Sequence, residues 1–418
     1  MIRLRAFAIA AAVALSTASL AGCASGNSSG SSSSAEDGRG PITFASGKDF
    51  TKEMGTLLDK WNAAHPAEKV TLLELAASPD DQRTAFVQNF QAKSSAYDVL
   101  WSDVVWTSEF ASHGWLEELD PTVFASSDIM PAAVKSATYD GKTWGAPFMT
   151  NAGLLFYRSD LVKTPPTTWA DLFKSCEGRP SGMDCYAGQF AQYEGLTVNA
   201  AEAINDAGGA FLAADGKTVT VDTPEARAGL SVLADAFKNG MINKEAITYK
   251  EEESRRAFVE GRLMYLRNWP YVYTSASATD SAIKGKFGIA PLPGVSGPGV
   301  SSLGGIDLVV SKFSRYKATA KDFLAFMQSE ETQKFVVSAM NQASVRTALY
   351  DDPDLIKVSP YLPELKKSLL NANPRPVTPN YNAVSLAIQK NVYPALQGSV
   401  TVDQAITQMA ADLANAVG

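Results

Sequence analysis

Aromatic side chains stand beside carboxylate, amide or guanidinium groups at several points of this 418-residue chain. Carboxylates, amides and guanidinium groups can bond paired hydroxyls in planar, often bidentate geometry. Aromatic faces can cover the apolar C–H patches of a pyranose ring. This mixture is what recognition of a sugar requires. It occurs in segments with the composition of loops or strand ends: LWSDVVW (100–106), WGAPFMTNAGLLFY (144–157), QYEGL (192–196), LRNWPYVY (266–273) and NPRPVTPNY (373–381).

The common signatures of catalytic and cofactor sites are missing from the sequence. It has no Walker phosphate loop, no strand-linked Gly-x-Gly-x-x-Gly, no strand-linked Gly-x-Ser-x-Gly elbow and no His-Glu-x-x-His. His65 precedes a proline at a predicted helix end, and His113 lies in the polar phrase ASHGW. Both histidines are interpreted as structural, and the sequence predicts neither a metal site nor a cofactor.

The elements that would position these phrases alternate between short apolar runs and amphipathic helices. PITFASG (41–47), KVTLLEL (69–75) and YDVLWSD (97–103) read as strands, with helices predicted over 52–65 and 80–93 between them. Strand–helix–strand units of this regularity indicate a mostly parallel sheet flanked by helices. Residues 318–340 predict a pair of helices, and residues 401–417 a last helix with Thr401 as its N-cap.

The amino-terminal segment has the pattern of an export signal. Arg3 and Arg5 precede seventeen apolar or small residues, which is short for a membrane-spanning helix. Leu20-Ala21-Gly22-Cys23 resembles the lipobox of bacterial lipoproteins, in which the cysteine is lipidated; the alternative is an ordinary signal with an incidental cysteine. A serine- and glycine-rich stretch follows to residue 40 and predicts a flexible tether.

Length and charge limit the classes of function. The first 22 residues hold two arginines and no acids, so the remainder has 35 basic and 44 acidic residues, a net charge of −9. Such an acidic balance does not predict the large basic surface that binding of nucleic acid requires. The 396 residues after position 22 exceed what one core usually supports, so two lobes are expected.

Two further cysteines, Cys176 and Cys185, lie nine positions apart in KSCEGRPSGMDC. In an exported protein this spacing, with glycine and proline between, favours a small disulfide-closed loop over two free thiols. A zinc site would need further ligands, and neither histidine lies near a cysteine in sequence.

Several phrases together, in their order, resemble the solute-binding lipoproteins of carbohydrate ABC importers, specifically the maltose/trehalose-binding group. The similarity is greatest to the trehalose-recycling lipoproteins of mycobacteria and their actinobacterial relatives, and it extends from ITFASG to the final helix. The supporting phrases are SPDDQRTAF, YDVLWSDVVWTSEFASHGWLEELD, APFMTNAGLLFYRSDLV, YEGL, AFVEGRLMYLRNWPYVY, FGIAPLPG, SSLGGIDLVVSK and RPVTPNYNAVS.

The resemblance implies an α/β, two-lobe periplasmic-binding-protein fold of type II, like maltose-binding protein, with ligand held between the lobes. Three interlobe crossovers are expected near 148–152, 290–293 and 345–349. The implied organisation is a signal peptide (1–22), a tether (23–40), an amino-terminal lobe (41–149 plus 292–346) and a carboxyl-terminal lobe (150–291 plus 347–418).

The resemblance also implies ligand-binding residues. Asp103 matches a carboxylate that accepts from sugar hydroxyls, its alternative being a helix cap. Asn151 matches a cleft amide just past the first crossover, or else a turn amide. Trp269 matches a stacking indole, or else a buried hinge aromatic. Glu251 fits a carboxylate eighteen residues before that indole, although the run Glu251 to Glu253 leaves the choice open by one position and could be a solvated helix start.

Further implied ligand contacts lie in the second half of the chain. Arg375 matches a ligand-facing arginine, with a lobe–lobe salt bridge as the alternative. Gly304 and Gly305 offer close backbone approach, and Arg83 and Tyr271 are weaker candidates. The chain differs from many relatives in having Ile306-Asp307 after the glycine pair. This difference means that the shape of one ligand subsite is not carried over from those relatives.

The function implied is a monomeric, lipid-anchored receptor on the outer face of the cytoplasmic membrane. It would capture a disaccharide, trehalose or another α-glucoside, and deliver it to the permease of an ABC importer. Two alternatives remain open: a receptor for a different small solute, such as an oligosaccharide, polyol, peptide or polyamine, and a secreted glycosidase, which would need a pair of catalytic carboxylates. Arg83 and Arg375 are unfavourable for a polyamine.

Overall fold

A computed structural model of the chain describes residues 38–47, 53–76 and 79–418. The predicted signal, the lipidation site Cys23 and most of the tether therefore lie outside the described residues. The strands are β1 (Ile42–Ser46), β2 (Val70–Glu74), β3 (Val99–Asp103), β4 (Thr138–Tyr139), β5 (Lys142–Thr143), β6 (Gly145–Ala152), β7 (Leu154–Arg158), β8 (Asp184–Ala187), β9 (Leu263–Asn268), β10 (Phe287–Ala290), β11 (Ser302–Val310) and β12 (Asn373–Pro374).

The α-helices of the described residues separate and follow these strands, and three short 3₁₀ helices supplement them there. Within the described ranges, none of the helices is long and apolar enough to cross a membrane. The helices are α1 (Met54–Ala64), α2 (Pro79–Gln91), α3 (Thr107–Ser112), α4 (Pro121–Phe124), α5 (Pro131–Ser136), α6 (Trp169–Ser175), α7 (Glu194–Asp206), α8 (Pro224–Lys238), α9 (Glu251–Val259), α10 (Val272–Ser277), α11 (Lys317–Gln328), α12 (Glu330–Ser338), α13 (Pro353–Val358), α14 (Leu362–Leu370), α15 (Tyr381–Leu396) and α16 (Val402–Val417).

Local sequence signals account for many of these elements. The predicted strands and helices of residues 41–103 are confirmed as β1, α1, β2, α2 and β3, and residues 318–340 form α11 and α12. Thr401 caps α16, because its hydroxyl accepts from the Gln404 amide at 3.2 Å while the Gln404 side chain accepts from the Thr401 amide at 3.0 Å.

The first lobe is built on a six-stranded sheet in which β2, β1, β3 and β11 are successive neighbours and β6 lies beyond β11. The pairs β1–β2 and β1–β3 are parallel, but β11 is antiparallel to both β3 and β6. The expectation of a mostly parallel sheet is therefore confirmed for three of the five strand pairs, β11–β12 included, and wrong for the two pairs that β11 makes with β3 and β6. The reason is topological: β11 enters from the second lobe and runs back between two strands that precede it by more than 150 residues.

The second lobe contains a four-stranded sheet in the order β10-β7-β9-β8, of which only β8–β9 is parallel. Helices α7, α8, α15 and α16 contribute to one large core with this sheet, whereas the first sheet has a separate apolar cluster on each face. In the structure, Cys176 and Cys185 form a disulfide that closes the loop between α6 and β8.

Within the described residues the chain passes between the two lobes three times before residue 351, and β12 later returns to pair with β11 of the first sheet. The first passage is at Gly153, between β6 and β7, and the second occupies residues 291–301, between β10 and β11. On the third, Ser344 bridges to Met149 of β6, while its neighbours Ala343 and Val345 belong, like Leu349 and Tyr350, to the second core. These passages agree with a fold having three crossovers, while the residue boundaries assigned to each lobe stay a prediction.

Candidate ligand-binding cleft

Arg375 lies between the two lobes and is 4% exposed. Its Nη2 donates to Asp103 Oδ1 at 3.2 Å, and its Nη1 donates to Glu194 Oε1 at 2.5 Å. Asp103 ends β3 of the first sheet, whereas Glu194 begins α7 of the second lobe. The lobe–lobe salt bridge considered from the sequence is therefore present. We call the space bordered by Asp103, Glu194, Trp269, Gly304 and Arg375 the interlobe cleft.

Strand pairing explains how residues so far apart in sequence meet. Leu303 of β11 is paired with Ala152 of β6 and also with Pro374 of β12, so β12 lies on the edge of β11 opposite to β6. That edge is also occupied by β3, whose Asp103 pairs with Ile306. β12 therefore continues the line of β3 beyond its carboxyl end, and Arg375 emerges beside Asp103.

Asp103 holds both the turn before α3 and the Arg375 side chain, whereas the N-cap of α3 is Trp106 and the role of Asp103 as a ligand acceptor stays a prediction. Its Oδ1 accepts from the Val105 amide at 3.1 Å as well as from Arg375, which fixes the turn before α3. The other oxygen, Oδ2, accepts no hydrogen bond from the described residues. This oxygen can accept from a ligand hydroxyl without disturbing the turn.

Glu194 is the acidic centre of the second lobe's side of the cleft. Its carboxylate accepts from Arg375, from the Tyr381 hydroxyl and from Ser385 Oγ, the last at 2.6 Å. Burial raises the pKa of this carboxyl, and the charge of Arg375 is the main influence in the opposite direction. A neighbouring cavity is lined from both lobes, by Asp80, Asp103, Trp106, Glu194, Tyr381 and Gln389 among others.

Trp269 lies half-buried just after β9, with its ring against the first lobe's β11. A Cβ atom placed on Gly304 would lie 3.2 Å from the far edge of the indole and 3.5 Å from Asn151 Cβ. One face of the indole is covered by the Arg267 guanidinium, whose carbon lies 4.2 Å from the ring centroid. The opposite face is the one that a sugar ring could use.

Asn151 lies on β6, paired with Gly304, and so precedes the first passage instead of following it as expected. Its Oδ1 is buried and has no hydrogen-bond partner among the described residues. Gly305, the next residue of β11, has φ +144°, and a Cβ there would lie 2.4 Å from Met149 O. This position therefore requires glycine, whereas Gly304 leaves room for the tryptophan.

The three consecutive glutamates at the start of α9 have different partners. Glu252 accepts from the Tyr271 hydroxyl at 2.7 Å and from Arg255, and Glu253 accepts from the Lys250 amide at 3.1 Å as part of the helix cap. Only Glu251 of the three is half-buried rather than exposed. The selection of Glu251 stays a prediction, and Tyr271 is already engaged with Glu252.

Tyr193 lies beside Glu251 and was not selected from the sequence, although its phrase QYEGL was singled out. Burial raises the pKa of its hydroxyl, with the Glu251 carboxylate as the next cause. The hydroxyl makes no hydrogen bond of ordinary geometry with the described residues. Glu194, from the same phrase, was also missed, because its role depends on Arg375, 181 residues away.

Arg83 is held inside the first lobe. Its Nε donates to Glu109 Oε2 at 2.9 Å, and its Nη2 donates to the other oxygen of that carboxylate. The structure thus gives Arg83 a protein partner and does not bring it together with the Arg375 network by any direct contact. Its assignment as a ligand contact stays a prediction.

Asp307, at the departure noted from the sequence, is fully buried in β11. Its oxygens accept from Thr107 Oγ1 at 2.9 Å and from Ser136 Oγ at 3.4 Å, with no basic partner among the described residues. Burial raises the pKa of this carboxyl to about 7, and the nearby Asp103 charge adds to the effect. The Asp307 carboxyl therefore has a structural role behind the cleft and does not line it.

Comparison with known proteins identifies the family. A family model described as "Bacterial extracellular solute-binding protein" matches residues 45–334. The chain belongs to this family. A protein of Deinococcus radiodurans described as a probable ABC transporter-binding protein is 32% identical to this solute-binding protein over 383 residues, covering 86% of the chain and 89% of the relative.

Solved structures of similar proteins show the same fold. The maltose-bound MalE3 protein of T. maritima superposes on this solute-binding protein with a TM-score of 0.82 at 34% identity, covering 89% of this chain and 98% of the other. The GacH receptor of Streptomyces glaucescens, solved unliganded and with acarbose, has a TM-score of 0.78 at 22% identity, over 91% of this chain and 98% of its own. The fold is therefore that of maltose-binding-protein-like receptors.

Proposed function

We propose that this solute-binding protein captures a disaccharide, trehalose or another α-glucoside such as maltose, by closure of its lobes. The captured sugar is then delivered to the permease of an ABC importer. Similarity to the maltose-bound MalE3 protein supports an α-glucoside. The preference for trehalose comes from the resemblance of the sequence phrases alone.

The observation that carries the proposal is a set of polar atoms without protein partners around a one-sided aromatic platform. Asn151 Oδ1 and Arg375 Nε are buried and lack partners among the described residues. Buried polar groups in native proteins are normally paired, and pairing an unsatisfied one is worth roughly 1–3 kcal/mol. A ligand with many hydroxyls would supply these partners while one ring covers the free face of Trp269.

Contacts from both lobes provide the mechanism of closure. Asp103 and Asn151 lie on the first sheet, and Glu194 and Trp269 belong to the second lobe. A ligand that touches all four gains more from the closed arrangement than from an open one, and this difference shifts the equilibrium between them.

Isothermal titration calorimetry tests the proposal on the purified chain with trehalose, maltose, maltotriose, sucrose and glucose. We expect one-to-one binding of trehalose or maltose, with the sugar recovered intact by chromatography. Absence of binding across all five sugars would contradict the α-glucoside assignment without affecting the fold. Cleavage of the sugar would instead favour the glycosidase alternative.

The proposed site of action is the outer face of the cytoplasmic membrane, with a lipid on Cys23. The support is the lipobox-like LAGC and the serine-rich stretch after it. A Cys23→Ser variant expressed in a bacterial host should leave the membrane fraction and lose incorporation of radiolabelled fatty acid. Retention of both properties would contradict lipidation at this cysteine.

A further inference from the structure

A buried ion pair lies directly beneath the cleft in the second lobe. Arg267 of β9 is 1% exposed and Glu202 of α7 is 6% exposed. Arg267 Nε donates to Glu202 Oε2 at 2.8 Å and Nη2 donates to Oε1 at 2.5 Å. Gln189 accepts from the remaining nitrogen, Nη1, at 2.9 Å. This bidentate geometry holds both side chains in one orientation.

The same pair holds two of the three passages between the lobes. Glu202 Oε1 accepts from the Ser302 amide at 3.1 Å and from Ser301 Oγ at 3.4 Å, at the end of the second passage. Ser301 Oγ in turn accepts from the amide of Gly153, the residue of the first passage, at 2.6 Å. Gly153 is packed so closely that a Cβ there would lie 2.7 Å from both Arg267 Nη2 and Glu202 Oε1.

The Glu202–Arg267 pair also contacts Trp269, the proposed stacking ring. The Arg267 guanidinium covers one face of Trp269 at 4.2 Å from its centroid. A single rigid group therefore contacts the proposed sugar-stacking ring on one side and both passages on the other.

We propose that Glu202 and Arg267 are positioning residues that couple ligand stacking on Trp269 to the geometry of the two interlobe passages. This inference rests on the proposed function. Displacement of the indole by a sugar is transmitted through the guanidinium to the carboxylate that holds Ser302 and Ser301, and through Ser301 to Gly153. Neither residue needs to touch the ligand.

The test compares Glu202→Gln with Tyr265→Phe in the full chain. Glu202→Gln keeps the side-chain shape but removes the charge that holds Arg267. Tyr265 lies on the same strand as Arg267, and its buried hydroxyl bonds Ser175 Oγ at 2.7 Å, so its loss gives a matched destabilisation away from the passages. A double variant, Glu202→Met with Arg267→Met, removes both charges and leaves neither unpaired.

Two readouts separate positioning from stability. We expect Glu202→Gln to weaken binding of the sugar identified by calorimetry about tenfold and to speed hydrogen–deuterium exchange at the Ser302 and Gly153 amides about tenfold, the scale of one charged hydrogen bond. Tyr265→Phe should change neither. The double variant should regain stability to urea while its affinity and exchange stay impaired.

Wild-type affinity and exchange in both Glu202→Gln and the double variant would overturn the inference, as would equal effects in Tyr265→Phe. If Glu202→Gln fails to fold, the double variant decides by the same criteria. If the wild-type chain binds no sugar, the proposed function is wrong, and exchange at Ser302 and Gly153 still decides whether the pair holds the passages.

Discussion

Trp269 has one face covered by Arg267 and one edge against Gly304, which leaves at most the opposite face for a ligand. A ring bound here is stacked on one side and must find its other contacts among polar groups. Asn151, Glu194 and Arg375 provide such groups within the same cleft. At the scale of residues, the site is therefore an aromatic platform surrounded by hydrogen-bonding atoms.

Replacing Trp269 with alanine should weaken sugar binding by about 2 kcal/mol, a roughly thirtyfold rise in Kd, because the platform is lost. Trp144→Ala is the matched control, since Trp144 is also half-buried but lies in the first lobe with its indole nitrogen bonded to Tyr139 O. Calorimetry on both variants checks the prediction. Equal affinity losses would show that Trp269 acts through the fold and not through stacking.

Asp307 predicts a pH dependence of stability. The pKa of its carboxyl is raised to about 7 in the folded chain, mainly by burial, against an ordinary value of 3.8. Between these values the folded chain binds one more proton than the unfolded chain, so the free energy of unfolding contributed by Asp307 falls as pH rises from about 4 to 7 and then stays constant.

Asp307→Asn should remove this slope and be more stable than the wild type at pH 8, on the order of 4 kcal/mol, since the rise in pKa from 3.8 to about 7 costs about 1.4 kcal/mol for each tenfold change in proton affinity. Urea unfolding of both proteins at pH 5 and pH 8 measures the difference. The Thr107 and Ser136 hydroxyls can donate or accept, so the amide keeps partners. A difference in the free energy of unfolding between the two proteins that is the same at pH 5 and at pH 8 would contradict the assignment.

At the scale of elements, β11 controls both the sheet and the cleft. It pairs with β3 on one edge and β6 on the other, with a register shift between Ile306 and Asp307. Its two glycines serve different purposes, since Gly305 fits a backbone that other residues rarely adopt and Gly304 fits the indole. Stability and ligand binding can therefore be separated by two adjacent substitutions.

Gly305→Ala should lower the free energy of unfolding by roughly 2 kcal/mol, because its φ is positive and its Cβ would meet Met149 O. Gly304→Ala should leave stability within about 0.5 kcal/mol but weaken sugar binding, because its Cβ pushes the edge of Trp269. Urea unfolding and calorimetry on each variant check this separation. Two variants with the same profile would contradict it.

Periodicity predicted the early strands and helices because each is specified by its own residues, as in β1, α1 and β2. Periodicity did not predict the direction of β11, because the alternation of apolar and polar residues identifies a strand but does not say which strands pair with it. The candidate site shows the same limit. Asp103, Asn151, Trp269 and Arg375 came from family phrases, whereas Glu194 was missed because its ion pair with Arg375 spans 181 residues.

At the scale of the whole molecule, two lobes with separate cores meet at a charged contact. Arg375 joins Asp103 of the first sheet to Glu194 of the second lobe, so protein side chains themselves make part of the contact. Burying such ions is costly unless each keeps its partners. Closure on a sugar therefore has to preserve this network while adding contacts at Trp269 and Asn151.

Sugar at 100 times its Kd should raise the free energy of unfolding by about 2.7 kcal/mol if only the folded chain binds it. The radius of gyration should fall at the same time, because the lobes approach each other. Urea unfolding and small-angle X-ray scattering, each with and without sugar, measure the two effects. Stabilisation with an unchanged radius of gyration would contradict binding by closure.

The position of β11 also sets the order in which the molecule can assemble during synthesis. A chain that has reached residue 300 contains β1, β2, β3 and β6, but β3 and β6 have no partner strand between them. Their facing edges stay open until Val310 has been made, and the pairing then closes contacts between residues about 200 positions apart. The first lobe, although its strands begin at Ile42, is therefore completed only after all four strands of the second lobe's sheet have been synthesised.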